Sequence, residues 1–241
     1  MCLGLVKSMS YLRYVKVIGT MHVSPKSRRE VRKVILEEKP DAIAIELDRQ
    51  RFYSLQSSER ITFKEAVKLG KKALLGYILM KVEEKIGEEF GMKPGGEMME
   101  AIQTASLLGV PLYLIDEDIQ SIMGKLLRAP LREKILLLLE SSLVFLPIAP
   151  EAESQEDIME SYKVMMHRFK LRYPYLFRIL VEERNEIMAR NLKAIVDELK
   201  RRGVKKPKVV AVVGLGHKKG IEKLLNSYRE EKNFYTITTR L

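Results

Sequence analysis

The chain reads as an α/β protein built on parallel strands. A strand–helix–strand succession over residues 15–45 predicts it, as does a strand, Gly-x-x-His, helix pattern that occurs twice, at residues 15–38 and 209–228. The third observation is the nearly unbroken apolar character of Ala42–Ile45 and of residues 209–213. Such runs suit strands covered on both faces, whereas a sheet with one wet face alternates apolar and polar positions.

Each element has its own warrant. Residues 14–18 carry the β-branched content of a strand, which Gly19 is expected to end. Ser24 and Pro25 form an N-cap and first-position pair. Val31, Val34 and Ile35 then recur at helical spacing up to Lys39 and Pro40. Asp41 leads into the second strand at Ala42–Ile45. A crossover of this kind is right-handed, so both strands point the same way and the residues just after them share one rim; His22 and Glu46 are expected there as neighbours. Gly96–Leu108 reads as a helix ended by Gly109, and residues 110–115 as a strand that terminates at Asp116. Residues 209–213 form a fourth strand, which delivers Gly214, Leu215, Gly216 and His217 ahead of a helix over about 218–228. Residues 234–239 look like a last strand. Residues 60–91 and 121–202 are mainly helical by period, with breaks around Pro147, Pro150 and Pro174. The expected organisation is a single domain over 1–241 with a helical insertion at about 121–202.

Composition narrows the function classes. Of the 241 residues, 46% are hydrophobic and 31% charged, which describes a globular chain able to bury a core. The single cysteine, Cys2, rules out both an internal disulfide and a cysteine-rich zinc site. An excess of 43 Lys and Arg over 32 Asp and Glu gives +11 and favours acidic partners. The clusters at Lys26, Arg28 and Arg29 and at Lys200–Lys208 have no interleaved aromatic residues, so a nucleic-acid partner ranks last. The apolar stretch 135–149 is shorter than the ~20 residues that span a bilayer and contains Glu140, Ser141 and Ser142. It reads as a buried helix, with apposition to a membrane or self-association into a homo-oligomer through this face as the alternatives. Residues 1–10 lack the apolar core of a signal peptide. The expected location is cytoplasmic, or membrane-associated if the chain is part of a longer protein.

The chemistry centres on histidine. Only three occur, and His22 and His217 share one setting: strand, glycine, two residues, histidine, helix. That setting aims both imidazoles over the strand ends. With Glu46 they make a His-His-carboxylate set suited to a divalent ion such as Mn, Co or Zn, with positions left for water or substrate. Such a set suits metal-assisted hydrolysis, in which a nearby carboxylate, Asp116 or Glu183, takes a proton. His167 lacks this setting and reads as a helix-surface residue.

At this point the sequence resembles a known family. Gly19-Thr20-Met21-His22-Val23-Ser24, followed by Pro40, Asp41, Glu46, Leu47, Asp48 and Arg51, is similar to the opening signature of the TraB/PrgY group of TraB, GumN and Tiki-like proteins. Val212-Val213-Gly214-Leu215-Gly216-His217 is similar to its closing signature. Glu97, Met98, Ala101, Asp116, Glu183, Arg184, Met188, Ala189 and Leu192 match in order between them. The resemblance implies parallel sheet halves wrapped by helices around an erythromycin-esterase-like or ChaN-like core, with a cleft at the strand ends. It also implies metal ligation by His22, Glu46 and His217 and hydrolysis of small peptides, as in pheromone shutdown or Tiki-like proteolysis. Arg184 either binds an anionic substrate or forms an ion pair with an acidic rim residue. The chain has Asp116-Glu117 where members commonly show Asp-Arg, and Glu183-Arg184-Asn185 where they show Glu-Arg-Asp. The first difference motivates a second reading, a non-catalytic protein that binds a peptide or small acidic ligand at the same rim.

Overall fold

The computed structural model describes residues 10–20, 25–56, 63–71, 73, 74, 77, 95–136 and 155–228. A 3₁₀ turn at Tyr11–Arg13 leads into β1 (Val15–Thr20), α1 (Pro25–Glu38), β2 (Ala42–Ile45), α2 (Arg49–Gln56) and α3 (Phe63–Lys68). Then come α4 (Gly96–Leu108), β3 (Leu112–Leu114), α5 (Ile119–Leu127), α6 (Gln155–Arg172) and α7 (Pro174–Phe177). A π-helical turn at Arg178–Glu182 joins α7 to α8 (Glu183–Arg201), and β4 (Val209–Gly214) and α9 (Leu215–Ser227) follow.

The strands form one four-stranded parallel sheet in the order β1-β4-β2-β3. Chain order and spatial order differ. The connections β1 to β2 and β2 to β3 run in one direction across the sheet, and the return to β4 reverses it. A right-handed crossover packs its helix on one face when it steps one way and on the other when it steps back. The cores follow that rule. Ile18, Ile43, Ile45, Val210 and Val212 pack against Val31 and Ile35 of α1 and Met98, Ala101 and Ala105 of α4. On the opposite face, Val15, Val17, Ala42, Ala44, Tyr113, Ala211 and Val213 pack against Met188, Leu192 and Ile195 of α8 and Ile221 and Leu225 of α9. Small alanines on the middle strands leave room there for the long side chains of α8, so the layers interdigitate at interior density. Every residue of β2 is buried, as the apolar run anticipates.

Several elements depart from the sequence expectation. β4 lies between β1 and β2, so the strand carrying Glu46 adjoins the one leading to His217, not β1. Sequential strands are often neighbours, but a crossover helix can equally carry the chain past an empty position. Gly19 does not end β1, which continues to Thr20. A Cβ at Gly19 would lie 3.1 Å from both Leu215 and Lys218, so the glycine serves the close approach of α9. β3 is shorter than expected because the Val110 N–H closes α4 on the Ala105 carbonyl and Pro111 has no N–H to give. α9 starts at Leu215, directly on the end of β4, so His217 stands in its first turn and not in a preceding loop. Residues 234–239, residues 137–149 of the apolar stretch, and His22 with its flanking Met21, Val23 and Ser24 lie outside the described residues. Among the described residues, no helix is long and apolar enough to cross a membrane.

Gly109 ends α4 as the sequence indicates, in the left-handed region at φ 63°. Nothing lies within 4 Å of where its Cβ would be. Gly109→Ala therefore isolates the backbone cost of a side chain in that conformation. We expect a loss of about 1 kcal/mol, read as a melting midpoint lowered by a few degrees with the spectrum of the folded state unchanged.

Candidate metal and active site

The C-terminal ends of the strands form the rim, and in register Thr20 stands beside Gly214 and Ile45 beside Val212. Connections leaving β2 and β4 go to opposite faces of the sheet, which makes the gap between these two neighbours its switch point. Glu46, the first residue past β2, fills that position. Its Oε2 accepts a 2.6 Å hydrogen bond from the Gly214 N–H, at the N-terminus of α9. A carboxylate there meets the positive end of the helix dipole.

His217 reaches the same carboxylate from the first turn of α9, with Nε2 3.3 Å from Glu46 Oε1. Its other nitrogen, Nδ1, lies 2.7 Å from Asn185 Oδ1, a buried contact. With an amide oxygen opposite, Nδ1 carries the proton, and Nε2 turns toward Glu46. Asn185 is wedged in place by helix packing, since a Cβ at Gly220 would stand 2.2 Å from Asn185 Nδ2. Glycine at 220 lets α9 come this close to α8.

Arg184, one residue before Asn185, closes the group from above. Its Nη2 donates to Glu46 Oε1 and, at 2.6 Å, to Asp116 Oδ2, while Nε donates to Asp116 Oδ1 at 3.0 Å and Nη1 to the Leu180 carbonyl at 3.1 Å. Leu180 belongs to the π-helical turn, a widened turn of a kind often found at functional sites. Asp116 has a second guanidinium, Arg51, whose Nη2 donates at 2.6 Å and whose Nε is anchored by Asp48. Arg51 also donates to the Glu117 carbonyl.

These contacts set the charge states. Burial pushes the Glu46 carboxyl upward, but His217 and Arg184 beside it and the hydrogen bonds from His217 and Gly214 outweigh burial and hold it well below the usual carboxylate range. Burial also opposes ionisation of Asp116, and the two arginines reverse that and lower its pKa. Arg184 and Arg51 both resist deprotonation more strongly than usual, because the neighbouring carboxylates overcome the cost of burial.

The structure thus joins Glu46, His217, Arg184 and Asp116 in one cluster. Glu183 is not in it. That carboxylate pairs with Lys125 at 2.7 Å and with Arg178 at 3.3 Å, and keeps 33% of its side chain exposed. His167 is on an exposed position of α6. His22 lies outside the described residues, although β1 ends two residues before it, beside Gly214. Among the described residues, no group of three His, Cys, Asp or Glu is arranged to hold a metal ion.

Three residues were missed by roles read from the sequence. Arg51 enters there only as part of a signature, and its place three residues after Asp48 at a helix start is the one hint of pairing. Asn185 appears as a departure from a family pattern, with no indication that it reaches His217. Tyr162 of α6 gives no sequence signal. Its hydroxyl is directed at the first turn of α9, and a Cβ at Gly216 would be 2.6 Å from it. Burial, and then the negative charge of Glu46, raise its pKa.

Asp116 offers a test of the ion-pair cluster. Its folded pKa is depressed, so its contribution to stability is present above the unfolded value of about 3.9 and is lost as pH falls through the folded one. Asp116→Asn removes the carboxylate that Arg184 and Arg51 share, leaving Glu46 and Asp48 as their remaining partners, and we expect it to cost on the order of 3 kcal/mol at neutral pH. Denaturant titrations should show the gap between parent and variant closing below about pH 4; a gap constant from pH 7 to pH 3 contradicts the assignment.

A sequence profile of the TraB/PrgY/gumN family matches residues 12–238. An uncharacterized protein of Methanocaldococcus jannaschii is 37% identical over 219 residues, covering 88% of this chain and 53% of that protein. TraB domain-containing proteins of Bos taurus and Homo sapiens are each 32% identical over 235 residues, covering 87% of this chain and 62% of theirs. The chain therefore spans between half and two thirds of the length of these relatives. With a match along nearly its whole length, and with Glu46 and the second Gly-x-x-His histidine meeting at the strand ends, the chain belongs to the TraB/PrgY/gumN family.

Proposed function

We propose that the chain is a metal-dependent hydrolase of small peptides, with His217, Glu46 and His22 holding one divalent ion. The observation that carries this reading is the 3.3 Å approach of His217 Nε2 to Glu46 Oε1 with Nδ1 already satisfied by Asn185. Nε2 can donate to that carboxylate, as it does in the cluster described above, or, without its proton, share a cation with it. Two ligands held about 2.1 Å from one ion in a tetrahedral shell lie about 3.4 Å apart, so the donor pair fits that group. Asn185 then has the part that a hydrogen-bond partner of a ligating histidine has elsewhere, fixing the tautomer and the ring plane.

When bound, the ion would polarise a peptide carbonyl and acidify a water molecule. The chain's own residues do the rest. Arg184 and the Gly214 N–H keep Glu46 ionised and oriented. Of the two carboxylates expected to handle protons, Asp116 has a fully enclosed side chain occupied by Arg184 and Arg51. Glu183 retains solvent access but pairs with Lys125 and Arg178 outside the cluster, so the proposal gives it the proton only once those pairs open. The donors Nε, Nη1 and Nη2 of Arg184 are all engaged by protein acceptors, so its part is to position Glu46 rather than to bind substrate. The second reading, a protein that holds a peptide or small acidic ligand without cleaving it, rests instead on Glu117 standing where members commonly show arginine.

Metal content by mass spectrometry on protein purified without a tag separates the two. We expect near-stoichiometric Mn, Co or Zn in the parent and in His167→Ala, and its loss in His22→Ala, His217→Ala and Glu46→Gln, with peptide hydrolysis following the metal. Asn185→Ala should weaken metal affinity by roughly 10- to 100-fold. A parent that neither contains nor takes up these ions, yet binds peptide in chelator without turnover, reverses the order of the two readings.

A further inference from the structure

The proposed site needs a donor for the negative charge that appears on the substrate, and Arg184 is already committed. Half-buried Tyr162 is a polar side chain that α6 brings to the same place. The second residue of α9 is glycine, and the space its Cβ would take is filled by this hydroxyl, 2.6 Å away, with the Met166 methyl at 3.3 Å. An alanine there would drive the phenol off the helix. The next residue along α9 is His217, whose ring faces Glu46. The hydroxyl is close enough to Glu46 for that carboxylate, together with burial, to raise its pKa, so the phenol stays protonated and able to donate. No described residue takes a hydrogen bond from it.

We propose that the Tyr162 hydroxyl, seated on α9 by Gly216, donates the hydrogen bond that holds the oxyanion formed when water adds to the substrate carbonyl. In that step a water oxygen bonds to the carbonyl carbon, one water proton goes to the general base, and the carbonyl π pair moves onto the oxygen that Tyr162 holds. Collapse restores the carbonyl, breaks the C–N bond and sends the proton to the leaving amine. Tyr162 remains protonated throughout. A preformed donor aimed at the developing charge stabilises the transition state more than the bound peptide, so it acts on kcat rather than KM. This assignment rests on the hydrolase reading above.

The test uses Tyr162→Phe, which keeps the ring, and Gly216→Ala, which displaces the hydroxyl. For the peptide the parent cleaves best, kcat should fall roughly 10²- to 10³-fold in Tyr162→Phe with KM within about 3-fold. Metal content and melting midpoint should match the parent. The phosphinic analogue of that peptide, with tetrahedral phosphorus in place of the scissile carbon, should lose affinity by a similar factor. Gly216→Ala should shift in the same direction, and the double variant should be little worse than Tyr162→Phe, because both changes remove one interaction. Turnover within about 3-fold of the parent in Tyr162→Phe overturns the assignment while leaving the hydrolase reading intact. Metal lost along with activity shows a structural role and also overturns it. A metal-loaded parent with no turnover removes the hydrolase reading and this assignment with it.

Discussion

The guanidinium of Arg184 holds together parts of the chain that are far apart in sequence. It joins Glu46 beyond β2 to Asp116 beyond β3, and it does so from the start of α8 on one face of the sheet. Both carboxylates and the arginine are almost wholly buried, so the cost of removing three charges from water is offset only while every partner is in place. That condition gives the cluster its specificity: a shift of α8 along its axis would unpair two carboxylates at once. Glu46 then passes the constraint on to β4 through the Gly214 N–H and on to α9 through His217. The position of the imidazole is in this sense set by an ion pair on a different pair of strands.

Helix packing sets the other half of the site. α9 lies close to β1 because Gly19 has no side chain and close to α8 because Gly220 has none. The contact at Gly220 presses Asn185 into the position from which it meets His217. Glycines in this region are spent on proximity between layers rather than on turns, and none of Gly19, Gly216 and Gly220 has a positive φ.

Local rules make much of this legible in the sequence. Apolar runs gave β2 and β4, a glycine in the left-handed region gave the end of α4, and the repeated Gly-x-x-His singled out one histidine that does meet Glu46. What stayed hidden depends on relations between distant segments. Nothing in the period of residues 209–213 says that the strand enters between β1 and β2, because insertion order is decided by which neighbour the last crossover reaches. Gly19 looks like a strand breaker when the helix that needs its empty space is two hundred residues away. Asp116 looks like a free functional group, and Arg184 offers an ion pair only as one of two roles with its partner unnamed, until their mutual pairing, and that with Arg51, is visible. Asn185 and Tyr162 act through the packing of α8 and α6 against α9, which no local pattern encodes.

The central place of β4 has a consequence for how the molecule comes into being. Until residues 209–214 arrive, β1 and β2 have no strand between them, and each presents an open row of backbone donors and acceptors. The sheet closes only after nearly all of the preceding chain has been made, a long-range pairing of the kind that slows folding and leaves edges exposed to other chains during synthesis. Glu46 also waits for that moment, since Gly214, His217 and Arg184 all come from the later part of the sequence. A ribosome-bound chain lacking β4 would have neither a finished sheet nor the cluster at its rim, so both assemble as one late event.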